Sequence, residues 1–235
     1  MRNIFVASAC LLVLTACAST GGAPATDPSV APGINDRYAT EEGRAASLGI
    51  FEAEGRDQYQ KPAEIVRHLE LKPGDVVCEV GAGSGYFTPF LSKAVGSTGR
   101  VYAEDPQAEF LAVLEKKKAA QALNNIEIVK GTYTDTNIPD GLCDVTIILD
   151  AYHHFEWPKP MLEAIKGDSK PGGRLVIVDF YRRQNAMFDK FGVDAMKHLR
   201  LDLDGVVREV EGHGWNHVDT RKFLDYQYFA VFTPR

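Results

Sequence analysis

Apolar and polar positions along this chain follow two alternating rhythms: short apolar runs of strand length and longer stretches with helical spacing. Residues 58–69 place Ile65, Val66 and Leu69 on one helical face, and Pro62 suits a first turn. Pro73-Gly74 then turns the chain into an apolar run at 76–80, and helical spacing follows over 84–95. The alternation continues with a strand over 99–104, a helix over 106–121 and a strand over 126–129. A polar loop over 131–141 leads to a fourth strand beginning near Cys143, a helix over 157–165 and a fifth strand over 174–180. Alternation at these lengths predicts a parallel sheet with helices on both faces. The tail differs. After a helix over 202–211 and a break at Gly212 to Gly214, two β-rich runs, 218–224 and 226–232, have only Asp225 between them. No crossover helix fits there, so the pair predicts an antiparallel hairpin.

The junction after the first strand reads Glu79-Val80-Gly81-Ala82-Gly83-Ser84-Gly85-Tyr86. Three glycines there allow a tight turn and a close backbone approach to a ligand at the carboxyl end of a strand. The second strand ends in Glu104-Asp105, placing an acid 20 residues after Gly85, where a carboxylate can accept from two ribose hydroxyls. Two further segments complete the pattern: Leu142-Cys143-Asp144-Val145-Thr146-Ile147-Ile148-Leu149-Asp150, and Lys170-Pro171-Gly172-Gly173-Arg174 ahead of the fifth strand.

On these residues the chain resembles the class I S-adenosylmethionine-dependent methyltransferases over residues 58–233. The resemblance implies an α/β, Rossmann-like, seven-stranded, mostly parallel sheet with an antiparallel C-terminal hairpin and helices on both faces. It implies S-adenosylmethionine as cofactor, held by Gly81, Gly83 and Gly85, with Glu79 orienting its methionine end and Asp105 holding its ribose. Glu104 competes with Asp105 for that role, one residue away and facing differently because side chains alternate along a strand. Thr132 stands where many relatives carry an adenine-binding Asp, which leaves base recognition to backbone groups or to Asp135. Asp150, at the end of the fourth strand, joins the cofactor-binding set.

The chemistry of transfer is expected just beyond, in Ala151-Tyr152-His153-His154-Phe155, because related small-molecule enzymes often carry His-His-Phe here. Methyl transfer from a sulfonium is an in-line displacement in which alignment and proximity do most of the work. A histidine is the natural base where the acceptor must lose a proton, so His153 and His154 are the catalytic candidates and either can serve. Tyr152 is read as a donor to the substrate or as a wall. His198 and the segment 59–62 could close the pocket from opposite sides but are read as packing or surface, and Lys116 to Lys118 as a solvated helix face.

The ends and the composition narrow the picture. Residues 1–16 read as a lipoprotein signal peptide: Arg2 precedes an apolar run too short to span a bilayer, and Leu14-Thr15-Ala16-Cys17 matches the bacterial lipobox. Cys17 is the expected lipidation site. Residues 17–36, rich in Ala, Gly, Ser, Thr and Pro, read as a lipidated flexible tether, and 37–235 as the methyltransferase domain. Ala18 after the anchor points to the outer rather than the inner membrane, on the periplasmic side of the envelope. With 32 acidic against 26 basic residues and no basic stripe, nucleic acid is excluded as a substrate. The expected partners are a small-molecule acceptor and a membrane reached through the lipid; the oligomeric state is left open.

Cys78 and Cys143 are read as small buried hydrophobes and not as a disulfide, one being near a strand end and the other near a strand start. No Cys or His spacing resembles a zinc site, so no metal is expected. The function read from the sequence is methyl transfer to an unidentified acceptor. A lipoprotein that binds S-adenosylmethionine or a nucleoside without transfer is the first alternative. An NAD-dependent oxidoreductase, disfavoured by the Gly-x-Gly-x-Gly spacing and the hairpin, is the second.

Overall fold

In the computed structural model, which describes residues 27–184, 188 and 192–235, seven strands join in one sheet. Five run parallel: β1 (Val76–Val80), β2 (Arg100–Asp105), β3 (Ile126–Lys130), β4 (Cys143–Leu149) and β5 (Ser169–Phe180). Two close the sheet antiparallel, β6 (Trp215–Arg221) and β7 (Gln227–Pro234), in the spatial order β3-β2-β1-β4-β5-β7-β6. The parallel sheet and its terminal hairpin are therefore as the pattern predicts. The stretch read as a signal peptide, Cys17, and the stretch read as a tether as far as residue 26 lie outside the described residues.

Period-two alternation divides the central strands between two cores. Val145, Ile147 and Leu149 of β4, Val176 and Val178 of β5, and Phe229 and Val231 of β7 pack on one face. Against them lie α3 (Pro62–Leu69), α4 (Thr88–Val95) and α5 (Ala108–Ala120), through Ile65, Leu91 and Leu114. The intervening residues Ile148, Leu175, Ile177, Tyr228 and Phe232 face the other way. They meet α6 (Pro158–Asp168) through Leu162 and Ile165, and the helix over Leu203–Gly212 through Val206 and Val210. Burial on both faces is why these strands read as continuous apolar runs.

Several boundaries move for local reasons. Helix α4 starts at Thr88 and not at residue 84, because Gly83 and Gly85 hold φ of +57° and +74° and the chain is still turning. Strand β5 begins at Ser169, since the Lys-Pro-Gly-Gly turn already pairs at its start, Ser169 opposite Cys143. The hairpin shifts to Trp215–Arg221 and Gln227–Pro234, with residues 222–226 as its connection. One helix went unread, α1 (Glu41–Phe51), and the helix read over 58–69 divides into α2 (Arg56–Gln60) and α3, because Lys61 between them holds φ of +47°. Part of the stretch read as tether is tied down: Val30 N–H donates to Glu156 O at 2.9 Å and Trp157 Nε1 donates to Asp27 O at 2.9 Å.

The cysteine reading is overturned. Cys78 and Cys143 form a disulfide, with their Cα atoms 5.8 Å apart and both side chains fully buried beside Ile138. The ladder between β1 and β4 begins only at Val77 opposite Val145, and the β4–β5 register shifts between Cys143 and Val145. Cys143 thus stands outside the regular register from which a separation was inferred.

Candidate active site

Strand order places β2 on one side of β1 and β4 on the other, so the loops leaving β1 and β4 diverge and open a crevice at their carboxyl ends. A cavity of about 200 Å³ occupies it. Glu79, Gly81, Gly83, Asp105, Thr132, Asp150, His153 and His154 all line this cavity, which gathers the expected site residues from four strand ends. Gly85 is the exception. It sits behind the turn against Leu114 and Thr88, and its carbonyl accepts from Lys117 Nζ at 3.1 Å.

The glycine turn is fastened to the tip of β2. Gly81 and Ala82 N–H donate to Glu104 O at 3.0 and 2.8 Å, and Gly83 N–H donates to Asp105 Oδ2 at 2.9 Å. Gly81 has φ of +77°, and a Cβ there would stand 2.6 Å from that of Ala151, so only glycine lets the β1 and β4 loops approach this closely. Asp105 Oδ1 also accepts from Gln107 N–H at 2.8 Å. Both its oxygens are thus oriented by backbone, which sets the carboxylate rigidly at the cavity wall.

Three buried carboxyls surround the turn. Glu79 accepts from Thr88 Oγ1 at 2.6 Å, and burial pushes its pKa up to about 7. Asp105 is pushed to about 6 by burial, against the lowering effect of its two backbone donors. Glu104 is raised well above the usual range by burial and by Asp105 beside it, and its Oε1 has no hydrogen-bond partner among the described residues. A buried acceptor left open in this way costs free energy unless a ligand completes it. The two competing acids therefore share the β2 tip, Asp105 oriented and Glu104 unsatisfied.

Thr132 lines the cavity, but its hydroxyl accepts from Asp135 N–H at 2.9 Å and Thr134 N–H at 3.2 Å, serving the turn. Asp135 accepts from Asn137 N–H at 2.8 Å and does not line the cavity. The neighbouring Tyr133 does line it.

At the β4 end, Asp150 takes a left-handed φ of +55°, a conformation Asp tolerates better than most residues. Arg56 Nη2 donates to its Oδ2 at 3.1 Å, and Gln227 Nε2 donates to its Oδ1. Burial raises Asp150 to about 6, with Arg56 opposing. Arg56 also lies over the Tyr86 ring, 3.9 Å from its centre, and donates to Phe51 O at 2.8 Å. Lys117, read as solvated, bridges Glu52 at 2.8 Å, and Glu52 also accepts from Ser84 Oγ at 2.5 Å.

The histidines separate by environment. His153 Nδ1 meets Asp179 Oδ1 at 2.8 Å; burial lowers its pKa, but the Asp179 carboxylate outweighs burial and the net shift is upward. His154 is held through both nitrogens, Nδ1 by Asn35 Oδ1 at 3.1 Å and Nε2 by Tyr38 OH at 3.4 Å. Burial and then the neighbouring His153 and His198 hold its pKa well below the usual value. Tyr152 faces away, donating to Glu209 Oε1 at 2.7 Å in the opposite core, and touches no part of this cavity.

His198, read as packing in preference to closing the pocket, lines the cavity, and sequence reasoning passed over Arg56, Asn35, Tyr38 and Asp179. None has a local signature, since each acts across a long sequence separation.

Residues 78–177 match the family model described as a methyltransferase domain. The sheet order, with its antiparallel terminal hairpin and the glycine turn after β1, is that of the Rossmann-like methyltransferase fold. The chain is similar to the ubiquinone/menaquinone biosynthesis C-methyltransferase of Teredinibacter turnerae, 27% identical over 121 residues, covering 51% of this chain and 49% of that protein. It is similar to a protein-L-isoaspartate O-methyltransferase of Ignicoccus hospitalis, 31% identical over 115 residues, covering 49% and 52%. The chain thus spans about half the length of these curated relatives. Among solved structures, a SAM-dependent methyltransferase from Aquifex aeolicus superposes with a TM-score of 0.74 at 24% identity, covering 80% of this chain and 96% of that one.

Proposed function

We propose that this protein transfers a methyl group from S-adenosylmethionine to a small-molecule acceptor. The observation that carries this reading is the trio of buried carboxyls, Glu79, Glu104 and Asp105, around a glycine turn. A donor bearing a sulfonium and an ammonium is attracted to such a wall, whereas the pyrophosphate of a dinucleotide is repelled by it. The same residues suit the donor in detail. Glu104 Oε1 and Asp105 can accept from ribose hydroxyls, and Glu79 faces the cationic methionine end. When bound, the donor supplies an electrophilic methyl carbon whose bond to sulfur breaks as its bond to the acceptor forms, leaving a neutral thioether.

The chain's own groups do the rest. His153, with Nδ1 committed to Asp179 at 2.8 Å, keeps Nε2 for the acceptor's proton, and the Asp179 carboxylate stabilises the imidazolium that results. His154, hydrogen-bonded on both sides and disfavouring charge, serves as a wall. Phe51, Phe110 and Phe155 supply apolar lining that keeps water from the reacting centre.

Isothermal titration of S-adenosylmethionine into the purified protein tests the reading. Saturable micromolar binding, in preference to reduced nicotinamide cofactor, is the expected result. Preference for the nicotinamide would remove the methyltransferase reading, and donor binding without labelled methyl transfer across an acceptor panel would leave a binding lipoprotein.

The placement proposed is the cell envelope, with a lipid anchor at Cys17 facing the periplasm, on the outer membrane. Two features support it: the lipobox at 14–17 and a buried disulfide, which persists in oxidising compartments. Labelled fatty acid is expected to enter the wild type and not Cys17→Ser; an unlabelled, soluble wild type would overturn the anchor.

A further inference from the structure

Three imidazoles meet at the acceptor end of the cavity. His153 and His154 leave the β4 loop, and His198 arrives from a short helical turn, Ala195–His198, far along the chain. Their ring centres are 4.3, 5.0 and 5.4 Å apart, and one nitrogen from each lies within 4.8 Å of the other two. All three rings line the cavity, and an ion bound among them takes the place of one of the two hydrogen bonds of His154, to Asn35 at 3.1 Å or to Tyr38 at 3.4 Å.

From this geometry we infer that His153, His154 and His198 form a binding site for a divalent transition-metal ion, Zn²⁺ being the type case. Imidazole suits zinc, nickel and copper. Three histidine ligands around a tetrahedral ion leave the fourth position open to water or substrate. With bonds of about 2.0–2.1 Å, ligand nitrogens of such an ion stand roughly 3.3 Å apart, so each ring needs an inward shift of about 1 Å.

Two independent features favour an ion over a merely stacked trio. Asp179 takes His153 Nδ1 at 2.8 Å, the carboxylate–histidine arrangement that fixes the ring and presents Nε2 to a metal. His198 has no hydrogen-bond partner among the described residues, although its ring faces the other two. The site has no local sequence signature, because its third ligand is contributed by a distant segment.

An ion here would take His153 Nε2 out of use as a base and offer its open position to the acceptor's heteroatom. The acceptor class it selects is one that ligates metal as an anion, such as a phenol, enol or thiol. That consequence rests on the methyl-transfer reading. The metal site itself does not, and it is measured without donor.

The test titrates the full chain, stripped with chelator, with Co²⁺ and then with competing Zn²⁺. One equivalent of Co²⁺ is expected to give the visible absorption of a four- or five-coordinate ion, lost on adding Zn²⁺. His198→Ala and His154→Ala should each weaken Zn²⁺ binding at least about tenfold, and Asp179→Asn by about ten- to a hundredfold. His213→Ala, outside the cluster, should leave it unchanged. Zn²⁺ should raise the melting temperature of the wild type and not that of His198→Gln, which keeps the ring's approximate volume if the alanine variant fails to fold. Absence of stoichiometric Co²⁺ or Zn²⁺ binding by the folded wild type, or equal affinity in the His198 variants, would overturn the site.

Discussion

Asp179 holds His153 at two points, its Oδ1 2.8 Å from the ring Nδ1 and its Oδ2 accepting the His153 backbone N–H at 3.0 Å. The carboxylate is itself buried and also takes the Phe180 N–H at 2.8 Å. A ring so gripped is held in one orientation.

Replacing Asp179 by Asn keeps the volume but removes the charge that stabilises an imidazolium. In the methyl-transfer reading, turnover should fall by about 10²–10⁴, the range of general-base effects. Donor affinity, set at the β1 and β2 ends, should change less than about threefold, within the scatter expected of an independent site. Steady-state kinetics beside calorimetry separates the two; unchanged turnover would show that the acceptor needs no base.

The sheet was legible because strands buried on both faces leave continuous apolar runs, and because Asp225 left no room for a crossover. The positions of the glycine turn and of the acids at 104 and 105 were legible because both follow directly on the short apolar runs of β1 and β2. Arg56 and Asn35 were not. Their partners Asp150 and His154 lie 94 and 119 residues away, and α1, which lies between Asn35 and Arg56, has weak apolar periodicity. The disulfide was misread because strand register was assumed to hold at Cys143, where it breaks.

Asp105 carries a load in both states of the protein. Its Oδ2 takes Gly83 N–H and its Oδ1 takes Gln107 N–H, so the substitution Asp105→Ala loosens the glycine turn as well as removing a ribose acceptor. Hydrogen bonds to charged groups contribute roughly 1.5–3 kcal/mol, so donor affinity should drop about ten- to a hundredfold. Calorimetry checks it, and wild-type affinity in the variant would shift the ribose role to Glu104.

Donor binding should also follow pH. Glu79 and Asp105 have pKa values raised to about 7 and about 6, so both are largely protonated at pH 5. A cationic donor prefers their ionised forms, so affinity should climb at least about tenfold from pH 5 to 7.5, with protons released on binding. The ligand-free protein moves oppositely. A carboxyl whose pKa is higher folded than unfolded contributes stability below its unfolded value near 4, which is lost as pH rises through 6–7. Calorimetric enthalpies in buffers of different ionisation heat would expose the proton release; a pH-independent affinity would contradict the cationic-donor assignment.

The disulfide makes the last prediction and links fold to compartment. Cys78 and Cys143 are 65 residues apart, and closing a loop of that length in the unfolded chain corresponds to about 4 kcal/mol by chain entropy. Its location beneath β1 and β4 matters more than its length. These are the strands whose carboxyl ends carry Glu79 and the His153 loop, so loosening them disturbs both halves of the cavity. Cys78→Ala/Cys143→Ala should therefore unfold at lower urea, by about 2–4 kcal/mol, and should lose donor affinity together with stability. Reductant should reproduce the shift in wild type slowly, because both sulfurs are buried and open only when the strands part. Urea transitions with and without reductant, alongside a free-thiol count, measure this. A wild-type protein with two titratable thiols at these positions after purification from an oxidising compartment would refute the bridge, and with it one of the two supports for export.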